Sequence, residues 1–155
     1  MTIRHFPSIA AVLALAALPA FAKPNFTGDW KLNVAKSDFG QMPAPTSASY
    51  KISHDDPKLK NSIKQSGQMG DMEFETTYTT DGKESTNEMF GQPIKSTAKW
   101  DGDTLLIESK GRFGDNDFTM TDKWTLSGDG KALTIVRAFK SPMGEGEQKM
   151  VLEKQ

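Results

Sequence analysis

The sequence predicts an all-β protein folded as a single antiparallel up-and-down β-barrel of eight to ten strands. Short runs of alternating apolar and polar residues recur along it, each closed by Gly, Pro, Asp or Asn. After residue 22 no window keeps an i, i+3, i+4 apolar pattern for three helical turns. The links between runs are mostly short, so each strand pairs with its sequence neighbour, and closing such a meander on itself removes the free edges that invite aggregation.

The elements follow in order. Residues 1–22 carry Arg4 and His5, an apolar run from Ile9 to Leu18, then Pro19 and Ala20-Phe21-Ala22. That pattern is expected of a signal peptide directing export to the periplasm or outside the cell, and its apolar run is about half the length of a bilayer span. Residues 23–155 form the expected barrel domain. Its first run places Phe26, Trp30, Leu32 and Val34 on one face. Met42-Pro43-Ala44-Pro45 breaks regular structure, because two prolines fix φ and remove donors.

Ala48 to His54 and Lys58 to Gln65 form a pair around Asp55-Asp56-Pro57. Met72, Phe74, Thr76 and Tyr78 then alternate with polar residues up to Asp81-Gly82, a dipeptide favoured in type I′ hairpin turns, which predicts Lys83 to Phe90 as the partner strand. Gly91-Gln92-Pro93 leads into Ile94 to Trp100, and Asp101-Gly102 into Thr104 to Lys110. Phe118, Met120, Trp124 and Leu126 alternate before Ser127-Gly128-Asp129-Gly130. Leu133, Ile135 and Phe139 follow, and Gln148 to Leu152 closes a set of ten runs.

Composition narrows the function classes. Nineteen Lys plus Arg against 20 Asp plus Glu leave a net charge of −1, and after residue 22 the arginines are Arg112 and Arg137. With no concentrated basic face, a nucleic-acid partner is not expected. There is no cysteine, so core burial alone must hold the fold. That burial is lean, since Leu, Ile, Val and Phe number 22 after residue 22.

Material for catalysis is scarce, and neither an enzyme nor a bound cofactor is expected. A Ser-His-Asp arrangement would have to use His54, whose neighbours Asp55 and Asp56 are explained by turn chemistry. The methionines, including Met69 and Met72, read as adaptable apolar filler rather than a copper site. Asp115-Asn116-Asp117 and Asp101-Gly102-Asp103 read as turns, because neither brings the spaced oxygens of a calcium loop. No metal is expected.

Gly28-Asp29-Trp30 on the opening strand resembles the signature of the calycin group, the lipocalins and fatty-acid-binding proteins. In that group the Trp plugs one barrel end beneath a basic side chain, a role that Arg137 or Lys149 would fill here. Asn25-Phe26-Thr27-Gly28-Asp29-Trp30-Lys31-Leu32, Trp100-Asp101-Gly102-Asp103-Thr104-Leu105 and Trp124 to Lys131 also look like a group of uncharacterised bacterial lipocalin-like secreted proteins. The resemblance implies a barrel that binds a small hydrophobic or amphipathic molecule. Residues 40–49 are too short and proline-rich for the two-helix lid of fatty-acid-binding proteins. Arg137-Ala138-Phe139 keeps the arginine of their Arg-x-Tyr carboxylate anchor without its hydroxyl, and Thr121-Asp122-Lys123 matches the lipocalin Thr-Asp-Tyr in part.

The expected ligand-binding residues are Arg137, Tyr50, Phe74 and Tyr78, joined by Trp100, Met120, Trp124 and Phe139, with Gly28 and Trp30 as the structural signature. Arg137 shares parity with Leu133, Ile135 and Phe139, and an inward arginine needs a partner. That partner is an acid, the Trp30 ring or the head of an anionic ligand. The alternative to a carrier is a protein-interaction or inhibitor module whose barrel core is fully packed.

Overall fold

Ten antiparallel strands run up and down in sequence order in the computed structural model, which describes residues 22–155. Apart from Ala22, the expected signal peptide lies outside the described residues. The strands are β1 (Gly28–Leu32), β2 (Ser47–Asp55), β3 (Lys58–Gly67), β4 (Gly70–Thr79), β5 (Asp81–Met89), β6 (Gln92–Asp101), β7 (Thr104–Phe113), β8 (Asn116–Leu126), β9 (Ala132–Ser141) and β10 (Gly144–Lys154). No helix among the described residues is long and apolar enough to cross a membrane.

The sheet order is β4-β3-β2-β1-β10-β9-β8-β7-β6-β5, so the first and last strands pair and join the two ends of the chain. Alternation does the folding. In β2, Ala48, Tyr50, Ile52 and His54 are buried while the residues between them are exposed, and the period of two carries the apolar set to one side. Each aliphatic side chain buried this way stabilises by about 1.5–3 kcal/mol.

Two expectations need correction. Val34 does not continue the first strand. Val34–Lys36 form a 3-10 turn, because the Asn33 side chain accepts the Lys36 N–H at 3.1 Å and ends the extended run. Asp81-Gly82 does not close a paired hairpin either. β4 and β5 are the two margins of the sheet, so the barrel is nearly closed and keeps a seam where a sealed wall is expected. The cause lies at Thr80, whose N–H donates to Pro57 O at 2.8 Å and whose hydroxyl bonds Asp56. These ties hold the corner against the β2–β3 turn, and just after it the β5–β6 pairing shifts register between Asp81 and Glu84.

Up-and-down order sorts the connections into two ends. The β2–β3, β4–β5, β6–β7 and β8–β9 turns share one end with the chain's residues 23–27. The β1–β2, β3–β4, β5–β6, β7–β8 and β9–β10 links share the other. The core cluster, including Phe26, Trp30, Leu59, Leu105, Ile107, Trp124, Leu133, Ile135 and Leu152, fills the first end. Inward-facing Met72, Phe74, Met89, Met120, Phe139 and Gln148, toward the second end, are only half-buried.

Candidate functional site: the barrel interior

The closed end is an aromatic plug. Trp30 is 1% exposed, and its Nε1 donates to Phe26 O at 2.9 Å. Phe26 stacks on His54 at 5.5 Å and on Trp100 at 5.8 Å, and meets Trp124 edge-on at 5.5 Å. The cation over Trp30 is Lys154, 5.5 Å from the ring centroid, not Arg137 or Lys149. Register decides this, since Trp30 and Lys154 are directly opposite across β1 and β10. It also explains the glycine of the signature. At Gly28 φ is +150°, and a Cβ there would meet Lys154 Cε at 2.9 Å.

His54 belongs to the same plug. The Phe26 N–H donates to its Nδ1 at 3.2 Å, so Nε2 carries the proton and donates to Asp56 Oδ1 at 3.1 Å. Thr80 and Trp100 also donate to that carboxylate. Burial alone would raise the pKa of Asp56, yet the hydrogen bonds from Thr80, His54 and Trp100 hold it below the ordinary value. With both ring nitrogens of His54 engaged, none is left to take a proton from a nucleophile.

A polar belt crosses the middle of the interior. Asp122 on β8 and Arg137 on β9 are register partners and form a bidentate pair, Nε to Oδ1 and Nη2 to Oδ2 both at 2.8 Å. Burial would lower the pKa of Arg137, but the Asp122 carboxylate more than reverses this and keeps the guanidinium charged. Tyr50 and Tyr78 feel both charges. Burial pushes each phenol up; Arg137 opposes the rise and Asp122 adds to it, and at Tyr78 the neighbouring Thr76 hydroxyl opposes it more than either charge acts. The Tyr50 hydroxyl donates to Met150 Sδ at 3.8 Å. Ser96 and Ser109 bond each other at 2.8 Å. Asn61 and Thr76 face each other across β3 and β4, and Asn61 Oδ1, Thr76 Oγ1 and Trp124 Nε1 are buried without a hydrogen-bond partner.

The open end is a mouth with an apolar rim. Phe118 and Phe139 pack at 5.6 Å below it, and Phe74, Phe90 and Phe113 form an edge-to-face chain with spacings of 5.8 and 5.7 Å. Among the described residues the large exposed apolar side chains are Met42, Met69, Phe90, Phe113 and Met143; four stand on links at this end and Phe113 ends β7 beside the fifth. Two grooves, of about 850 and 480 Å³, lie along the mainly polar, outward face of β1 to β4, lined among others by Lys31, Ser49, Lys51, Ser62 and Lys64 in the larger one.

Of the expected binding residues, Tyr50, Tyr78 and Arg137 stand in the polar belt, and Phe74, Met120 and Phe139 line the half toward the mouth. Trp100 and Trp124 pack in the plug against Phe26. Sequence reading missed Asp122, Asn61 and Thr76. Asp122 was within reach, because four steps back from Leu126 and four on from Leu133, the pair that flanks the turn, set it opposite Arg137. For Asn61 the signal was a lone amide between Leu59 and Ile63 on an apolar parity.

No protein-family model matches the sequence, and no curated protein is similar to it in sequence. Solved structures do match in fold. Zebrafish ileal bile acid-binding protein, in complex with cholic acid, is 15% identical over 84% of this chain and 98% of its own, with a TM-score of 0.59. The fluorescent protein UnaG is 17% identical over 84% and 97%, also at 0.59. A secretory abundant heat soluble protein from Ramazzottius varieornatus is 15% identical over 83% and 94%, at 0.55. The fold is that of the calycin, fatty-acid-binding-protein-like barrels.

Proposed function

We propose that the protein binds a small, largely apolar molecule inside the barrel and carries or sequesters it outside the cytoplasm, without catalysing a reaction. One observation carries the reading. Inward-facing Phe74, Met120 and Phe139 stand within the nearly closed wall of ten strands and still keep solvent-accessible surface, so the apolar interior is not sealed from solvent. Among the proteins of like fold, one was solved with cholic acid, which supports a ligand of this kind. Export rests on the signal-peptide pattern of residues 1–22.

The five exposed apolar side chains at the mouth end favour a second reading, an interaction module that meets a protein partner there. Two measurements separate them. Native mass spectrometry of protein purified without detergent is expected to show a co-purifying small molecule, or the empty barrel is expected to take up the neutral dye Nile red. Failure of both removes the carrier reading and leaves the interaction module.

A further inference from the structure

The carrier reading fixes an apolar tail, while the polar belt carries information about the head. Away from the strand ends, the inward-facing positions of the described strands bear two charged side chains, Asp122 and Arg137. They are spent on each other through two contacts of 2.8 Å. Asp122 is 4% exposed, and among the described residues Arg137 forms an ion pair with no other carboxylate. The interior therefore has no net charge to offer an ion. A carboxylate entering beside Arg137 would meet the Asp122 carboxylate already bonded to the guanidinium, and an ammonium entering beside Asp122 would meet Arg137.

What the interior does offer is unspent hydrogen bonding. Asn61 is 2% exposed, with Oδ1 buried and unpartnered, the buried Thr76 hydroxyl opposite it lies near the Tyr78 phenol without a well-formed hydrogen bond, and Trp124 Nε1 is a buried donor without an acceptor. A buried polar atom without a partner costs free energy that a ligand can return by pairing it. The set comprises acceptors and donors, all uncharged.

We propose, resting on the carrier reading above, that the barrel selects an amphiphile with an uncharged, hydrogen-bonding head, such as a hydroxyl or primary amide, and discriminates against carboxylates and amines. Asn61 and Thr76 receive the head, the Asp122–Arg137 pair excludes ions, and the apolar residues between belt and mouth take the chain.

The test is competition against Nile red at pH 7.5 with four ligands of one chain length, below micelle formation: 1-dodecanol, dodecanamide, dodecanoate and dodecylammonium. The alcohol or the amide is expected to displace the dye at concentrations at least ~10-fold lower than either ion, because an unpaired charge is far costlier to bury than a neutral head. Equal or tighter binding of dodecanoate overturns the head-group assignment and leaves the carrier reading standing. If the dye and all four ligands fail to bind, the carrier reading falls and the assignment with it. A variant reads the same claim from inside the protein. Asn61→Leu is expected to weaken dodecanol several-fold while changing dodecanoate little, and an equal loss for both overturns the assignment.

Discussion

The side-chain amide of Asn87 holds both backbone groups of Thr77, accepting its N–H at 2.8 Å and donating to its carbonyl at 3.0 Å. Asn87 is on β5 and Thr77 on β4, the two margins of the sheet, so one side chain imitates a strand across a seam that has no ladder. Replacing it with Leu keeps the volume and removes both bonds. The Thr77 amide is then expected to exchange with solvent ~10-fold faster or more, and stability to fall by about 1 kcal/mol, the usual net contribution of an accessible hydrogen-bonded pair. Hydrogen exchange read at Thr77 with urea unfolding checks it, and unchanged protection would mean that the seam is held elsewhere.

Much of the wall was legible because alternation is a local property. All ten runs became strands, since Tyr50-Lys51-Ile52 or Phe74-Glu75-Thr76 specify a face without reference to the rest of the chain. The seam was not legible, because Asp81-Gly82 is a strong hairpin signal and the bond that overrules it, Thr80 to the β2–β3 turn, joins residues more than twenty positions apart. The cation over Trp30 was hidden for a related reason. Choosing Lys154 over Arg137 requires the register of the first strand against the last, which no local pattern encodes.

Breaking the Asp122–Arg137 pair from either side strands a buried charge. Asp122→Ala is expected to destabilise by about 3 kcal/mol, the lower part of the range for buried pairs because Arg137 keeps partial contact with solvent. The double variant Asp122→Leu/Arg137→Met removes both charges and is expected to recover most of the loss. Chemical denaturation of the three proteins decides. A double variant no better than the single one would mean that the pair stabilises by more than mutual neutralisation.

Asp56 gives the closed end a dependence on acid. Its pKa lies below the ordinary 3.8, so its contribution is complete above that pH and is lost as the pH falls through its folded value. Asp56→Asn is therefore expected to melt lower than the parent at pH 7, and the gap is expected to shrink as both are titrated below pH 3.8. A gap that stays constant between pH 7 and pH 2 would trace the loss to packing rather than to the charge.

At the other end the wall is thin where Gly111 faces Phe118. A Cβ there would stand 2.7 Å from Phe118 Cζ and 3.1 Å from Ile94 Cγ1, so Gly111→Ala must move a ring that packs on Phe139. The expected cost is about 1–3 kcal/mol, as for other overpacked positions. Because Phe118 lies beneath the mouth, Nile red affinity is expected to change in the same variant. A stability loss with identical dye binding would separate Phe118 from the ligand path.

Phe90 makes the sharpest test of the mouth, because its backbone favours a different residue. At φ +51° it holds a left-handed conformation beside Gly91 at +75°, the pair of positive angles that Asn-Gly adopts readily in a two-residue hairpin. Keeping a bulky aromatic there costs about 1 kcal/mol, and the ring is 53% exposed, so burial repays little of it. Its contacts are the edge-to-face ones with Phe74 and Phe113, worth about 0.5–1.5 kcal/mol each when buried and less in solvent. The backbone gain and the contact loss nearly offset in Phe90→Asn, which is expected to keep its stability within about 1 kcal/mol of the parent. If the aromatic chain guides an apolar ligand inward, the same variant is expected to bind Nile red several-fold more weakly. Unaltered dye affinity in a protein of unaltered stability would show that Phe90 serves neither the fold nor the ligand, and the mouth would then have to be sought at the β4–β5 seam.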